Sequence, residues 1–185
     1  MSAPRPDRDD YYMGIAMAVR RRANCVGNKV GAVLVLKDRI ISTGYNGTPQ
    51  GMRNCDEGGC ERCAQRDRFP PGEAYDLCIC VHAEQNALLT AARFGIGAEG
   101  AVLYTTLRPC FGCLKEALQG GVTEVRYLHD WSCPEAMRVQ YDILESHFPA
   151  GVRQVHLEDP EAAWAVSRRP ADTGPPAPDP PPYAG

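Results

Sequence analysis

Two cysteines separated by two residues follow a proline in the run Pro109-Cys110-Phe111-Gly112-Cys113. Proline suits the first position of a helix, because the N–H it lacks would have no partner there. The spacing then stacks Cys110 and Cys113 in one helical turn, where free backbone N–H groups and the helix dipole favour thiolates. Two such thiolates can grip one face of a tetrahedral zinc ion. Val81-His82-Ala83-Glu84 opens another expected helix, and His82 can supply a third donor. Three protein ligands with one open position are the layout of a catalytic zinc rather than a closed structural one. Glu84 stands two residues on, about 200° around the helix. It does not reach the same ion alongside His82, but it reaches a water in the open position and can carry its proton. Alone, the cysteine pair reads equally well as a redox pair or two core thiols, and His82 as a core histidine. Their combination with Glu84 favours one catalytic centre.

The elements that would carry these residues alternate between helix and strand. Residues 9–24 read as a helix, with Tyr12, Ile15, Ala16 and Val19 at helical spacing and Asp9 or Asp10 as cap. Strands are expected over 30–36 and 39–43, joined at Lys37-Asp38, and over 101–106, 122–128 and 152–157. Helices are expected over 83–94, ended by Gly95, over 109–119, closed by Gly120-Gly121, and over 134–147. This alternation implies an α/β sheet covered on both faces.

The 185 residues are 44% hydrophobic and 23% charged, as in one globular domain. Twenty Lys and Arg against 23 Asp and Glu leave a net charge of −3, which argues against a protein held on nucleic acid by counterion release. No apolar stretch approaches the roughly 20 residues of a membrane span. Arg5, Asp7, Arg8, Asp9 and Asp10 stand where an export signal would be apolar, so a cytoplasmic location is expected. Seven of the sixteen prolines lie in 170–185, too poor in large apolar side chains to repay ordering. The expected organisation is a flexible arm over 1–8, a folded domain over 9–168 with a Cys-rich insert at about 52–80, and a disordered tail over 169–185. Pro180-Pro181-Pro182-Tyr183 in that tail has the form of a ligand for small proline-binding domains, although a proline-rich tail readily produces it by chance.

His82, Glu84, Pro109, Cys110 and Cys113 together match the His-x-Glu and Pro-Cys-x-x-Cys signature of zinc-dependent base deaminases. The chain therefore resembles the cytidine deaminase-like superfamily, whose fold is a three-layer α/β/α sandwich around a central mixed sheet. Gly44-Tyr45-Asn46-Gly47-Thr48-Pro49-Gln50-Gly51 and His82-Ala83-Glu84-Gln85-Asn86-Ala87 narrow the likeness to the deoxycytidylate (dCMP) deaminase family, from about Tyr12 to Leu157. The resemblance implies hydrolysis of dCMP to dUMP and ammonia, which supplies dUMP for thymidylate synthesis. It implies Asn46 and Ala83 as substrate contacts, and a regulatory nucleotide near Gly44, Tyr45 and Gly47. It also implies a homohexamer, activated by dCTP and inhibited by dTTP with Mg²⁺. Some relatives hold a second, structural zinc through cysteines at the Cys25 and Cys55 positions. Cys60, Cys63, Cys78 and Cys80 are then a pool for its remaining ligands, and Cys133 reads as a plain core or surface residue.

A nucleotide phosphate needs cations or backbone N–H groups. Arg108, Arg53 and Lys29 are candidates, whereas Arg20-Arg21-Arg22 reads as a solvated helix end. Three competing functions share parts of the pattern. One is a tRNA adenosine deaminase, disfavoured by the net charge, the 44–51 loop and the cysteine insert. Another acts on free cytidine, cytosine or a modified pyrimidine. A third is a zinc-stapled interaction module, in which Glu84 would have no purpose. Truncation after Arg169 is expected to leave folding and turnover nearly unchanged; thermal melts and initial rates of the shortened chain check this.

Overall fold

The computed structural model describes residues 5–69, 77–131 and 133–166. Its strands are β1 (Gly31–Leu36), β2 (Arg39–Tyr45), β3 (Val102–Leu107), β4 (Glu124–His129) and β5 (Val152–Gln154). Its helices are α1 (Arg8–Arg20), α2 (Glu61–Ala64), α3 (Ala83–Arg93), α4 (Phe111–Gln119), α5 (Arg138–Ser146) and α6 (Ala162–Ala165). The strands form one sheet in the order β2-β1-β3-β4-β5. β1 pairs antiparallel with β2 and β3, while β3, β4 and β5 run parallel. The expected mixed sheet is thus present. Lys37 and Asp38, at φ 51° and 60°, make the tight β1–β2 turn, whose twist suits a right-handed hairpin.

Helices cover both faces, for a reason visible in β1. Its run Gly-Ala-Val-Leu-Val-Leu is buried on both sides, as befits a strand between two layers. Val33 and Val35 meet Tyr12, Met13 and Ala16 of α1, with Tyr104 and Leu128 completing that side. Ala32 and Leu34 face the other layer, where Ala83, Ala87, Leu114 and Tyr141 bring in α3, α4 and α5. No helix among the described residues is long and apolar enough to cross a membrane.

Several boundaries differ from expectation. The α1 cap is Asp7, whose side chain accepts the Asp10 N–H at 2.8 Å, so the helix reaches into the expected arm. Asp9 is instead engaged by Arg126, Arg153 and the Tyr104 hydroxyl. The expected 134–147 helix is a 3-10 turn (Glu135–Met137) followed by α5, and β5 has three residues. The expected tail over 169–185, with its Pro-Pro-Pro-Tyr run, lies outside the described residues, as do residues 1–4 of the arm.

The largest correction concerns Arg20, which does not end a helix in solvent. It is 1% exposed and makes two hydrogen bonds, at 2.7 and 2.5 Å, to the 2%-exposed Asp159 carboxylate. Glu161 adds a contact at 3.4 Å, and His129 Nε2 lies 2.6 Å from Asp159. Arg21 is exposed as expected, although it pairs with Glu161. The sequence pattern of three arginines hides this division because burial is decided by the returning chain at 159–161. Arg20 holds the Asp159 carboxyl well below its usual range. Asp159→Asn leaves a buried guanidinium short of its counter-charge and is expected to cost roughly 3–5 kcal/mol at neutral pH. A folded-state pKa below the unfolded one stabilises above about pH 3.9 and fades on acidification. The gap between wild type and variant in denaturant midpoint should therefore narrow below that pH.

Candidate active site

Two helix starts converge at the end of β3. His82 caps α3 from an extended conformation, φ −71° and ψ 158°, and Cys110 caps α4 at φ −70° and ψ 169°. Pro109 therefore lies one residue ahead of the cap, not at the first helical position expected for it. Cys113 sits in the first turn of α4 and is buried. His82 Nδ1 is 3.3 Å from Cys113 Sγ and 3.4 Å from Cys110 Sγ, and the two sulfurs are 3.6 Å apart. Zinc–sulfur and zinc–nitrogen bonds of ordinary length put tetrahedral donors about 3.5–3.8 Å apart. The triangle fits zinc to within a few tenths of an ångström, and its thiolate and imidazole donors disfavour hard cations such as Mg²⁺. Cys110 is pulled down to about 4, first by its hydrogen bond with Cys113 and then, against burial, by His82. His82 is raised to about 9, chiefly by Cys110, and Cys113 is pushed up by the same neighbour. Protons shared among three crowded donors are those a divalent cation displaces.

Glu84 is 4% exposed, and this burial pushes its pKa up, with His82 opposing. Thr105 Oγ1, on β3, lies 3.1 Å from Glu84 Oε1 and 3.1 Å from the Leu107 carbonyl. Its one proton serves the carboxylate when Glu84 is ionised. When Glu84 is protonated, the hydroxyl can accept from it and donate to Leu107. The pair supports both protonation states, as acid–base work requires.

The surrounding contacts hold these side chains in place. Gln85 accepts the His82 N–H at 2.9 Å and donates to Glu116 of α4 at 2.9 Å, tying the start of α3 to the second turn of α4. Gly44 lies so close to α3 that a Cβ there would stand 2.1 Å from the Ala83 carbonyl. Gly47 exchanges backbone hydrogen bonds with Val81 at 2.8 and 3.2 Å, and a Cβ on it would strike Asn24. Tyr45 is partly exposed, its carbonyl accepting from Asn86 at 2.7 Å. Residues 44–47 thus brace the chain that leads into His82. On the α4 side, the Tyr141 hydroxyl donates to the Pro109 carbonyl at 2.6 Å.

Arg108, a candidate for the phosphate, is engaged within the chain. Its guanidinium donates to Glu145 at 2.7 to 3.1 Å and to Asp130 at 3.2 Å, over the Tyr127 and Tyr141 rings. These partners clamp the segment before Cys110 to α5. Lys29 Nζ is likewise engaged, 2.5 Å from the Cys25 carbonyl, and the Arg53 guanidinium lies beside Gly58. Asn46 is 7% exposed and holds the preceding loop: Oδ1 accepts the Val30 N–H at 2.8 Å, and Nδ2 donates to the Asn28 carbonyl at 2.7 Å. That leaves the amide one N–H and one lone pair for other partners. Ala83 is fully buried, backbone included.

All six cysteines of the second pool, Cys25, Cys55, Cys60, Cys63, Cys78 and Cys80, gather in one cluster. Cys133 lies apart in the core on the α3–α5 side of the sheet. Thr105, Gln85, Tyr141 and Glu145 escaped sequence reasoning. Gln85 was legible in principle, since it stands three residues after a helix cap. The others reach the site from distant elements and carry no local signal.

Residues 6–129 match the family described as the cytidine and deoxycytidylate deaminase zinc-binding region. Among curated proteins, the chain is similar to deoxycytidylate deaminase of Schizosaccharomyces pombe, 46% identical over 123 residues. That match covers 66% of this chain and 37% of the relative, so the chain spans little more than a third of that protein. Deoxycytidylate deaminase of Mycobacterium phage D29 is 40% identical over 129 residues, covering 66% of this chain and 95% of the phage protein. Among solved structures, dCMP deaminase of cyanophage S-TIM5 in complex with dCMP and dUMP aligns with a TM-score of 0.61 at 29% identity. The alignment covers 83% of this chain and all of the phage chain. Because Gln85 ties the His82 cap to the second turn of α4, Gln85→Ala is expected to weaken zinc binding about 10–100-fold. Chelator competition measures this, while the far-UV dichroism spectrum should not change.

Proposed function

The chain belongs to the cytidine and deoxycytidylate deaminase zinc-binding family, and from that premise we propose that it hydrolyses dCMP to dUMP and ammonia. The observation that carries this reading is the buried Glu84, paired with Thr105, in the turn that begins at the His82, Cys110 and Cys113 triangle. A structural metal site has no use for such a carboxylate. The dCMP and dUMP held by the cyanophage relative support the substrate, as do the 44–51 loop and the lack of a basic excess.

His82, Cys110 and Cys113 would hold the zinc. When bound, it supplies Lewis acidity that brings the pKa of a water towards ~7. Glu84 accepts a proton from the attacking water and passes it to N3 of the cytosine ring as the water oxygen bonds to C4. It then takes the remaining hydroxyl proton and gives it to the amino group. The C4–N bond breaks, ammonia leaves, and C4 keeps the oxygen as the uracil carbonyl. Thr105 keeps the carboxyl oriented through both transfers, donating to it when charged and accepting from it when neutral. Burial raises the pKa of Glu84, which brings a carboxyl closer to the range where it both takes and returns a proton.

In the same reading, the deaminase domain runs from the Asp7 cap of α1 to about residue 168, and the insert at about 52–80 binds structural metal through its cysteines and Cys25. Family likeness makes Asn46 and Ala83 contacts of the nucleotide. Family likeness alone supports a cytoplasmic homohexamer that supplies dUMP for thymidylate synthesis. It is also the support for activation by dCTP, and for inhibition by dTTP with Mg²⁺ near residues 44–47.

Glu84→Gln should retain zinc yet lose at least 10²-fold in kcat. His82→Ala should lose both zinc and activity. The decisive assay follows absorbance loss with dCMP, CMP, deoxycytidine and tRNA. Turnover of dCMP but not deoxycytidine is expected. Full activity of Glu84→Gln, or turnover of deoxycytidine or tRNA adenosine in place of dCMP, would overturn the proposal.

A further inference from the structure

Six buried or half-buried cysteines outside the catalytic triangle arrive from separate parts of the chain. Cys25 lies just past α1, and Cys55 heads a 3-10 turn (Cys55–Glu57). Cys60 caps α2, Cys63 lies within it, and Cys78 and Cys80 immediately precede Val81. They divide into two sets of four, Cys25, Cys55, Cys63, Cys80 and Cys60, Cys63, Cys78, Cys80. Within each set every sulfur lies within 4.8 Å of the others. Cys63 and Cys80 belong to both.

This is the arrangement of two tetrahedra sharing an edge. The sulfur separations of 3.9 Å for Cys25–Cys63, 3.9 Å for Cys60–Cys78 and 3.6 Å for Cys63–Cys78 sit near the roughly 3.8 Å spanned by two thiolates on one zinc. They are far longer than the ~2.05 Å of a disulfide. One ion would use four of the sulfurs and leave two thiols buried without a metal. Two ions with two bridging thiolates use all six. We propose that the insert holds a pair of zinc ions bridged by Cys63 and Cys80, with Cys25 and Cys55 completing one tetrahedron and Cys60 and Cys78 the other. The proposal rests on the reading that the insert binds structural metal, and it adds the number of ions and the bridge.

Two further observations agree. Among the described residues, the buried cluster at this place consists of cysteine alone, so sulfur–metal bonds would supply the cohesion that apolar side chains supply elsewhere. Six thiols release six protons on loading, and the filled cluster carries a double negative charge. Lys29 Nζ, at 2.5 Å from the Cys25 carbonyl, and Arg66, at 3.1 Å from the Val26 carbonyl, place two cations on the loop beside it.

The test is the metal content of the intact full-length protein, by native mass spectrometry and elemental analysis after aerobic purification. Three zinc ions per chain are expected, one catalytic and two in the insert. Two per chain would overturn the bridged pair while leaving one structural ion. One per chain would overturn the structural-metal reading too, and iron in the insert would overturn the assignment to zinc. Loading with ¹¹³Cd tests the bridge in the wild-type protein. Two all-thiolate resonances, each split by the other through the shared sulfurs, are expected, and two unsplit resonances would refute the shared ligands. Cys60→Ser should lower the count from three to two; an unchanged count would also refute the arrangement. If that variant fails to fold, the wild-type measurements still decide.

Discussion

Three donors on two different helices must meet within 3.6 Å, and much of the structure around them serves that requirement. A cap residue is the natural carrier of such a donor. It has left the extended chain but is already anchored by the first helical hydrogen bonds. His82 and Cys110 both occupy that position. Their convergence then depends on how closely α3 and α4 approach the sheet. Gly44 sets the first distance by having no side chain, and the parallel β3–β4 pair sets the second by delivering Leu107 and Arg108 to the start of α4. Gln85, which joins the His82 cap to the second turn of α4 through Glu116, closes the arrangement.

Buried charge does much of the remaining positioning. Arg108 and Arg20 are large cations that solvent does not satisfy, and each is held by carboxylates from elements late in the chain. Such pairs add little net stability over apolar packing but penalise any arrangement that separates them. Arg20 fixes the end of α1 to the chain beyond β5, while Arg108 fixes the turn before Cys110 to α5. Both guanidiniums are occupied in holding the frame, so the basic residues nearest the site in sequence are not automatically its ligands for a phosphate.

The cysteine insert joins this frame at its most sensitive point. Cys80 is separated from His82 by Val81 alone, and Val81 is paired with Gly47. Any restraint on Cys80 is therefore transmitted through two peptide units to a donor of the His82–Cys110–Cys113 triangle. A sulfur cluster suits that task better than a small apolar core would. In the proposed cluster the metal–thiolate bonds would be directional, and few apolar residues are available in the insert to bury.

His82, Glu84, Cys110 and Cys113 were legible in the sequence because their chemistry is local. A cap, a carboxylate two residues on, and two thiols one turn apart have relations dictated by helix geometry, whatever surrounds them. The strands were legible for a similar reason, since a strand buried on both faces needs a run of apolar residues. Thr105, Tyr141 and the partners of Arg20 and Arg108 were not legible. They meet the residues they serve across 21 to 141 positions of chain, and no periodicity encodes which distant side chain will arrive. The six cysteines show the division most plainly. Their number and softness as ligands make metal an expectation, but only the fold brings Cys63 and Cys80 within reach of both other pairs, because a tetrahedron is assembled in space and not along the chain.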